Sequence, residues 1–501
     1  MFFVETLYKK VKKKVIVIGS GFAGLSAAAS LAQKGYSVTV LEKNESPGGR
    51  ASQFKEDGFV FDMGPSWYWM PDVFEQYFNK FGKKVSDYYD LKLLDPGYRV
   101  FWGKNDFTDI PADFEKLKQL FESWEKGSAK NLDKFMDEAA YKYKVGINEL
   151  VYKPSRSLFE FIDFRLLTGL VKMQLFTSIR KHVHGLFKHD KIRKILEFPV
   201  YFLGALPENT PALYSLMNYA DLKLKTWYPQ GGMHEIVKAM VKVAEEQGVQ
   251  FLYNENVQQI IINNKQAKQV ITNNATYETD IVVAGADYHH IEQQVLEKPF
   301  RQYDEQYWDK RVMAPSSLIF YLGVNKKLKN LLHHNLFFDE SFELFAKEIY
   351  TEPQWPTKPL FYVCVSSKTD PTAAPEGMEN VFILIPTAPD LKDEDSLREK
   401  YYDLIMKRLE DLTGENIKEH VVYKRSFAHK DFQSRYNAFK GNAYGLANTL
   451  LQTAIFKPSL KNPKVDNLYF TGQLTVPGPG VPPSIISGQV VSEEIFKEIK
   501  P

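Results

Sequence analysis

The segment Lys14–Glu42 reads KVIVIGSGFAGLSAAASLAQKGYSVTVLE. Its apolar run from 14 to 18 predicts a buried strand, the alanine-rich run from 21 to 34 a helix, and the β-branched run from 37 to 42 a second strand. The segment therefore predicts a βαβ unit, the building block of a parallel α/β sheet.

Three glycines join the first strand to the helix in the pattern GxGxxG. Gly19 permits a tight turn, Gly21 lets a diphosphate approach the backbone, and Gly24 lets helix and strand pack closely. The helix N-terminus offers N–H groups and partial positive charge to that diphosphate. Glu42, at the end of the second strand, suits ribose hydroxyls and repels a 2′-phosphate, which disfavours NADP and leaves NAD and FAD open.

Length and composition place this chain among ordinary globular proteins. It has 501 residues, 44% of them hydrophobic and 25% charged, which predicts two or more domains. A formal charge of +2 gives no field that favours nucleic acid, so we expect no nucleic-acid partner. The single cysteine, Cys364, excludes an intramolecular disulfide and fits a reducing compartment.

The sequence lacks the usual signs of export, membrane spanning, metal binding and serine hydrolysis. The start, MFFVETLYKKVKKK, has no apolar stretch of signal-peptide length, and no run reaches the ~20 apolar residues of a membrane span. We therefore expect a cytoplasmic protein.

No metal site is expected, because His234 lacks a second ligand at HExxH spacing and the pairs His289–His290 and His333–His334 lack partners at ligand spacing. No GxSxG motif is present.

Pattern changes along the chain predict three kinds of region. Residues 10–105, 226–295 and 465–501 would form a discontinuous Rossmann-like nucleotide-binding domain, 106–225 a helical insertion, and 296–464 a substrate domain with a mixed sheet. The expected fold class is α/β.

Further motifs resemble one family. KNESPGGR (Lys43–Arg50) adds a second glycine turn and a cation after Glu42, and FDMGPSWYWMP follows at 61–71. Together with WYPQGGMHEIVKAM (227–240), VVAGADYHH (282–290) and NLYFTGQLTVPGPGVPPSIISG (467–488), these blocks resemble the flavin amine oxidase superfamily, and specifically bacterial phytoene desaturases.

The resemblance implies FAD as cofactor, and it makes the discontinuous nucleotide-binding domain an FAD-binding domain. It implies that Val257 binds adenine through its backbone, and that Gly472 and Gln473 lie near the ribityl and diphosphate. Two positions depart from the family pattern: Gln473 replaces a frequent acidic residue, and Val476 stands where many members have histidine. The full set of expected cofactor-binding residues is Gly19, Ser20, Gly21, Phe22, Ala23, Gly24, Glu42, Lys43, Gly48, Gly49, Arg50, Gly64, Pro65, Ser66, Val257, Gly472, Gln473, Gly480 and Val481.

The proline-rich stretch near the end has a physical interpretation beside a flavin. Pro482 and Pro483 fit the start of a helix, and the positive end of a helix from Ser484 would stabilise negative charge on the reduced ring.

The interleaved aromatic and basic stretch from Ser157 to Leu206 favours a peripheral contact with a membrane surface, as amphipathic helices make. The alternative is a buried helical subdomain with a solvated basic face. A membrane contact would suit a carotenoid substrate extracted from lipid.

The implied reaction removes a hydride and a proton from adjacent carbons of a polyene, with oxygen or a quinone as the electron acceptor. Either phytoene or a later carotenoid, desaturated at its 3,4 bond, would be the substrate. A carotenoid isomerase or saturase and a non-catalytic prenyl or lipid carrier remain alternatives. No catalytic base can be named from the sequence.

Overall fold

The computed structural model describes residues 12–157, 160, 173, 174, 176–201, 204 and 206–501. In these residues the strands are β1 (Lys14–Ile18), β2 (Ser37–Leu41), β3 (Gln53–Glu56), β4 (Phe59–Asp62), β5 (Leu91–Leu93), β6 (Tyr98–Gly103), β7 (Asp106–Ile110), β8 (Trp227–Pro229), β9 (Gln250–Leu252), β10 (Val257–Asn263), β11 (Gln266–Thr272), β12 (Thr276–Glu278), β13 (Ile281–Ala284), β14 (Ser316–Val324), β15 (His334–Phe337), β16 (Phe361–Cys364), β17 (Glu379–Thr387), β18 (Val421–Phe427) and β19 (Leu468–Phe470). The α-helices are α1 (Phe22–Gln33), α2 (Pro71–Asn79), α3 (Phe114–Trp124), α4 (Ser128–Val145), α5 (Ile179–Leu186), α6 (Asp190–Tyr201), α7 (Leu216–Leu222), α8 (His234–Glu246), α9 (Tyr288–His290), α10 (Glu305–Asp309), α11 (Phe342–Ala346), α12 (Asp395–Thr413), α13 (His429–Tyr436) and α14 (Val481–Glu498).

A parallel sheet of five strands joins the two ends of the chain. Its order is β19-β13-β1-β2-β9, and every neighbouring pair is parallel. Strand β1 lies in the middle, and its residues from Val15 to Ile18 are buried, as expected for a strand covered on both faces. The predicted βαβ unit and the α/β fold are confirmed.

Helix α14 packs against α1, although nearly the whole chain separates them. The Ser26 hydroxyl donates to the Ile485 carbonyl at 2.6 Å. A Cβ added at Gly488 would lie 2.4 Å from the Ala23 carbonyl oxygen, so the two helices approach too closely there for a side chain. This packing sets the last helix beside the first glycine turn.

A mixed sheet of seven strands forms the second layer, in the order β18-β14-β17-β16-β15-β6-β7. All its pairs are antiparallel except β15 with β6. Alternate residues of β14 pack on opposite faces: Phe320 joins the core that includes α12, whereas Ile319 and Tyr321 join the core on the other face. Both faces of the sheet centre are therefore covered.

One sheet crosses a boundary that the sequence patterns predicted. Strand β6 lies in the range 10–105 assigned to the FAD-binding domain, yet it pairs with β7 and β15 in the mixed sheet. The boundary at residue 105 falls in the turn of the β6–β7 hairpin, whose two strands share hydrogen bonds and belong to one sheet. The nucleotide-type sheet instead takes its strands from 14–41, 250–252, 281–284 and 468–470.

The region between β7 and β8 is helical in its described residues, from α3 to α7, as expected. The stretch proposed to contact a membrane, 157–206, is only partly described: residues 158, 159, 161–172, 175, 202, 203 and 205 lie outside the described residues. Within the described parts of the chain, no helix combines the length and the hydropathy needed to cross a bilayer.

Candidate active site

A cavity of about 490 Å³ opens at the carboxyl ends of the parallel strands. Residues that directly follow four of these strands line it: Gly19 after β1, Glu42 after β2, Gly285 after β13 and Thr471 after β19. Ligands of doubly wound α/β folds bind at this edge, and the volume lies in the usual range for small-molecule sites.

The cavity brings together most of the predicted cofactor-binding residues from distant parts of the chain. Those that line it are Gly19, Gly21, Phe22, Ala23, Glu42, Lys43, Gly48, Gly49, Arg50, Gly64, Pro65, Ser66, Val257, Gly472, Gln473, Gly480 and Val481. The other two, Ser20 and Gly24, are not among the residues lining this cavity in the described part of the chain. Both lie behind its wall, where Ser20 bonds Glu42 and Gly24 packs under the turn.

Each glycine of the first turn has a distinct geometric role. Gly19 has φ +91°, a left-handed conformation that favours glycine. A Cβ at Gly24 would lie 2.0 Å from the Gly19 carbonyl oxygen, so no side chain fits between helix and turn. A Cβ at Gly21 would meet nothing within 4 Å among the described residues, because this position faces open space at the cavity.

Arg50 carries an unsatisfied group that fits an anion. Its Nη2 donates to the Asn442 carbonyl at 3.2 Å, whereas its Nε is buried with no hydrogen-bond partner among the described residues. Burial lowers the pKa of Arg50, and the nearby Asp287 carboxylate opposes this effect. An unpaired guanidinium N–H at a cavity wall matches the phosphate oxygens of a dinucleotide.

The side chain of Lys43 is held away from such a role. Its Nζ donates to the Ser434 carbonyl at 2.6 Å and to Asn437 Oδ1 at 2.9 Å, both at the end of α13. Burial is the main effect on Lys43 and lowers its pKa. This residue therefore ties α13 to the end of β2 and contributes to the cavity mainly as part of its wall.

The second glycine turn packs closely against the strand pair that follows it. A Cβ at Gly64 would lie 2.4 Å from the Arg50 carbonyl oxygen, which excludes a side chain there. Ser66 accepts a hydrogen bond from the Tyr362 hydroxyl at 2.9 Å. This contact links the glycine-rich wall to the mixed sheet.

The C-terminal residues close the cavity from the other side. Gly472 has φ +112° and donates its N–H to the Ser487 hydroxyl at 3.0 Å, and Gln473 Nε2 donates to Asn442 Oδ1 at 3.3 Å. Helix α14 begins at Val481, three residues before the expected Ser484, and no side chain of the described residues caps it. Its uncapped N-terminus at the cavity fits a group that gains negative charge.

Sequence reasoning missed several lining residues, including Asp287 and Tyr436. The pKa of Asp287 is raised by burial, and its carboxylate accepts from the His290 N–H at 3.2 Å. The rule that ligands bind beyond the carboxyl ends of parallel strands could have found Asp287, which lies three residues after β13. Tyr436 ends α13, and no local motif marks it.

Away from the glycine turns the cavity becomes apolar. Side chains of the mixed sheet, α6, α7 and α11 form this apolar arm, which is lined by Trp67, Trp69, Met70, Phe198, Tyr201, Met217, Pro315, Ile319, Leu336, Phe338, Phe342, Phe345, Tyr350, Leu360, Phe361, Tyr362, Leu384, Pro386 and Tyr444. Its walls suit a long hydrocarbon, and they exclude water from the glycine-lined end.

Comparison with known proteins identifies the family. The family described as "Flavin containing amine oxidoreductase" matches residues 22–496. A carotenoid 3,4-desaturase of Haloarcula japonica is 41% identical over 486 residues, 97% of this chain and 98% of the relative. A 4,4'-diapophytoene desaturase (4,4'-diaponeurosporene-forming) of Staphylococcus haemolyticus is 32% identical over 498 residues, 97% and 99% of the two chains.

A solved structure of putrescine oxidase, a double mutant from a redesign of cofactor binding, has the same fold. It superposes with a TM-score of 0.63 at 14% identity and covers 97% of this chain and 99% of its own. The chain therefore belongs to the flavin-containing amine oxidoreductase family and is an FAD-dependent oxidoreductase.

Proposed function

We propose that this FAD-dependent enzyme is a carotenoid desaturase, which introduces C=C bonds into a polyene. The observation that carries the proposal is the continuity of the apolar arm with the glycine-lined end of one cavity. A hydrocarbon in the arm would reach the redox-active part of a dinucleotide bound at the sheet edge. The names of the two relatives support the same substrate class.

The proposed roles of the chain's residues follow from the geometry. FAD, when bound, accepts the hydride that leaves one carbon, while the neighbouring carbon loses a proton. The glycine turns at Gly19 and Gly49 leave room for the diphosphate, and Arg50 pairs with it. Glu42 lies where the ribose of the adenosine would bind. The N-terminus of α14 stabilises negative charge near Gly480, and the aromatic arm orients the polyene and excludes water.

The higher identity to the 3,4-desaturase favours a carotenoid that is already partly desaturated or modified over phytoene as the substrate. Oxygen or a quinone is the proposed electron acceptor. The family match argues against the non-catalytic lipid carrier considered above.

Product analysis tests the activity. Purified enzyme is incubated anaerobically with phytoene or with a hydroxylated carotenoid, each with and without a quinone. We expect a product lighter by two hydrogens for each double bond formed. Without the acceptor the bound flavin supports about one desaturation per enzyme molecule, and further product should form only with the acceptor. A product of unchanged mass would indicate an isomerase, and one with two added hydrogens a saturase; either result contradicts the proposal.

A variant that narrows the apolar arm gives a matched test. Leu384→Trp adds bulk in the arm, so we expect unchanged flavin content with strongly reduced conversion. Val422→Trp, at an exposed position of β18, is the control. Equal conversion by Leu384→Trp and wild-type enzyme would argue against the arm as the polyene site.

We also propose a peripheral contact with the membrane surface, through exposed apolar residues near the partly described stretch. Phe176 is 90% exposed, Leu451 72% and Phe456 51%. The Phe176 segment is bonded within the helical region, where Ala212 donates to the Thr177 carbonyl. Gly204 of the partly described stretch packs against Ala314. Val312, which is itself half exposed, accepts from the Gln452 side chain next to Leu451. Exposed apolar groups of this kind insert into the interface of a bilayer.

Flotation with liposomes tests this contact. We expect wild-type protein to float with vesicles and the triple variant Phe176→Ser, Leu451→Ser, Phe456→Ser to stay in the soluble fraction. Val422→Ser, which removes an apolar side chain that is 54% exposed on β18, should float like wild type. Wild-type protein that stays soluble contradicts the membrane contact without bearing on the chemistry.

A further inference from the structure

A cluster of three metal-binding residue types lies in the mixed sheet, outside the cofactor cavity. His333, His334 and Cys364 are all buried, and each offers one donor atom within 4.8 Å of the other two. The register of the sheet produces this cluster, because His334 on β15 pairs directly with Cys364 on β16. Some thirty residues separate the histidine pair from the cysteine, so their spacing in the sequence gave no sign of it.

Hydrogen bonds leave one nitrogen of each imidazole available. The Nδ1 of His334 lies 2.6 Å from the Tyr362 hydroxyl, which itself donates to Ser66, so this hydroxyl accepts from Nδ1–H. The Nδ1 of His333 lies 2.8 Å from the Thr369 hydroxyl. Both Nε2 atoms are buried with no hydrogen-bond partner among the described residues. A ring whose other nitrogen bonds an oxygen is the usual arrangement of a metal-ligating histidine.

A small cavity of about 20 Å³ adjoins the cluster. Its lining includes His333, Cys364, Asp62 and Tyr228. This is enough volume for one water molecule, with polar partners around it. A ligand water could therefore occupy a fourth coordination position.

We propose that His333, His334 and Cys364 bind a Zn²⁺ ion, with a water molecule from the small cavity as the fourth ligand. Two imidazoles and one thiolate match the preferences of zinc, and a tetrahedral site places neighbouring donors roughly 3.3 to 3.6 Å apart. The three donors lie within 4.8 Å of one another in this structure, so binding requires them to approach by up to about 1 Å. Cys364 loses its proton when the ion binds, so binding releases one proton.

The proposed site touches the wall of the apolar arm. The ring of His334 stacks on that of Trp67, with centroids 4.1 Å apart and planes 8° apart, and Trp67 lines the arm. Tyr362, the partner of His334, lines it as well. The ion would fix these two side chains in the wall, and the inference does not depend on the identity of the substrate.

Metal analysis of the tag-free holoenzyme tests the proposal. The enzyme receives one equivalent of Zn²⁺ and is then dialysed, and zinc is measured by mass spectrometry and X-ray absorption. We expect about one zinc per chain, with one sulfur at about 2.3 Å and nitrogen at about 2.0 Å. Cys364→Ala and His334→Gln should lose the zinc, while their flavin absorbance reports that they fold. His420→Gln, which alters a half-buried histidine bonded to Asn325 elsewhere in the fold, should keep it.

Three outcomes overturn the inference. They are substoichiometric zinc in the wild-type enzyme, equal zinc in the cysteine and histidine variants, and an absorption spectrum without sulfur. The spectrum of the wild-type enzyme decides even if a variant fails to fold. A parallel sample offered Cu⁺ tests the metal, and preferential retention of copper would overturn the assignment to zinc.

Discussion

Ser20 donates both its backbone N–H and its hydroxyl to the same oxygen of Glu42, at 2.8 and 2.6 Å. The other oxygen of Glu42 accepts from the backbone and side-chain nitrogens of Asn44, both at 2.9 Å. The buried carboxylate thus ties the turn after β1 to the end of β2. These four hydrogen bonds use the roughly four acceptor sites of the carboxylate, so Glu42 shapes the cavity edge in this structure. A ribose hydroxyl that binds Glu42 would replace one of these donors.

Replacing Glu42 by alanine should weaken FAD binding. The substitution leaves the buried N–H of Ser20 and the partly buried N–H of Asn44 without an acceptor, and it removes a group proposed to face the ribose. We expect a loss of about 1 to 3 kcal/mol, or roughly 5- to 150-fold in Kd. Fluorescence titration of the apoprotein with FAD measures it. Glu56→Ala, at an exposed position, is the control, and an unchanged Kd in Glu42→Ala would refute the role.

Two glycines of the first turn should respond differently to alanine. A Cβ at Gly21 meets no described protein atom within 4 Å, so Gly21→Ala should keep the melting temperature of the apoprotein yet weaken FAD binding at least tenfold. Gly24→Ala should lower both, because its Cβ would lie 2.0 Å from the Gly19 carbonyl oxygen. Calorimetry and FAD titration separate the two effects. Equal stability losses would contradict the assignment of Gly21 to the cavity.

Arg50→Met should lower flavin retention while the fold persists. The buried Nε has no partner among the described residues, and a hydrogen bond from a charged group to phosphate contributes about 1.5 to 3 kcal/mol. The flavin-to-protein absorbance ratio after gel filtration measures retention. Arg425→Met removes a guanidinium that stacks on Phe54 and should retain flavin normally. Full occupancy in Arg50→Met would exclude Arg50 as the phosphate partner.

Lys457 should make stability depend on pH. It is buried, its Nζ has no hydrogen-bond partner among the described residues, and burial lowers its pKa from 10.5 to about 7. Between these two values the unfolded chain binds one more proton than the folded chain, so stability rises with pH, by about 1.4 kcal/mol per unit. Below about pH 7 both states are protonated and the dependence ends.

The variant Lys457→Met isolates this effect. Its melting temperature should exceed that of the wild-type holoenzyme, and by more at pH 7 than at pH 9. Differential scanning calorimetry at the two pH values measures the difference. If Lys457→Met raises the melting temperature by the same amount at pH 7 and at pH 9, Lys457 does not titrate between these two pH values.

The sequence by itself determined the elements that depend on local pattern. Between residues 14 and 42 the hydrophobic periodicity and the glycine turn predict the same order of strand, helix and strand. The observed bounds of these elements therefore differ from the predicted ones by only about one residue. Most of the predicted cofactor residues line one cavity for the same reason, since the glycines mark where a backbone approaches closely.

Only the tertiary structure decided which distant residues meet. The pairing of β6 with β15, the approach of Asp287 to Arg50, and the cluster of His334 with Cys364 depend on strand order and register. Register is set by the burial of whole sheet faces, to which many residues contribute. A short sequence motif therefore cannot predict it.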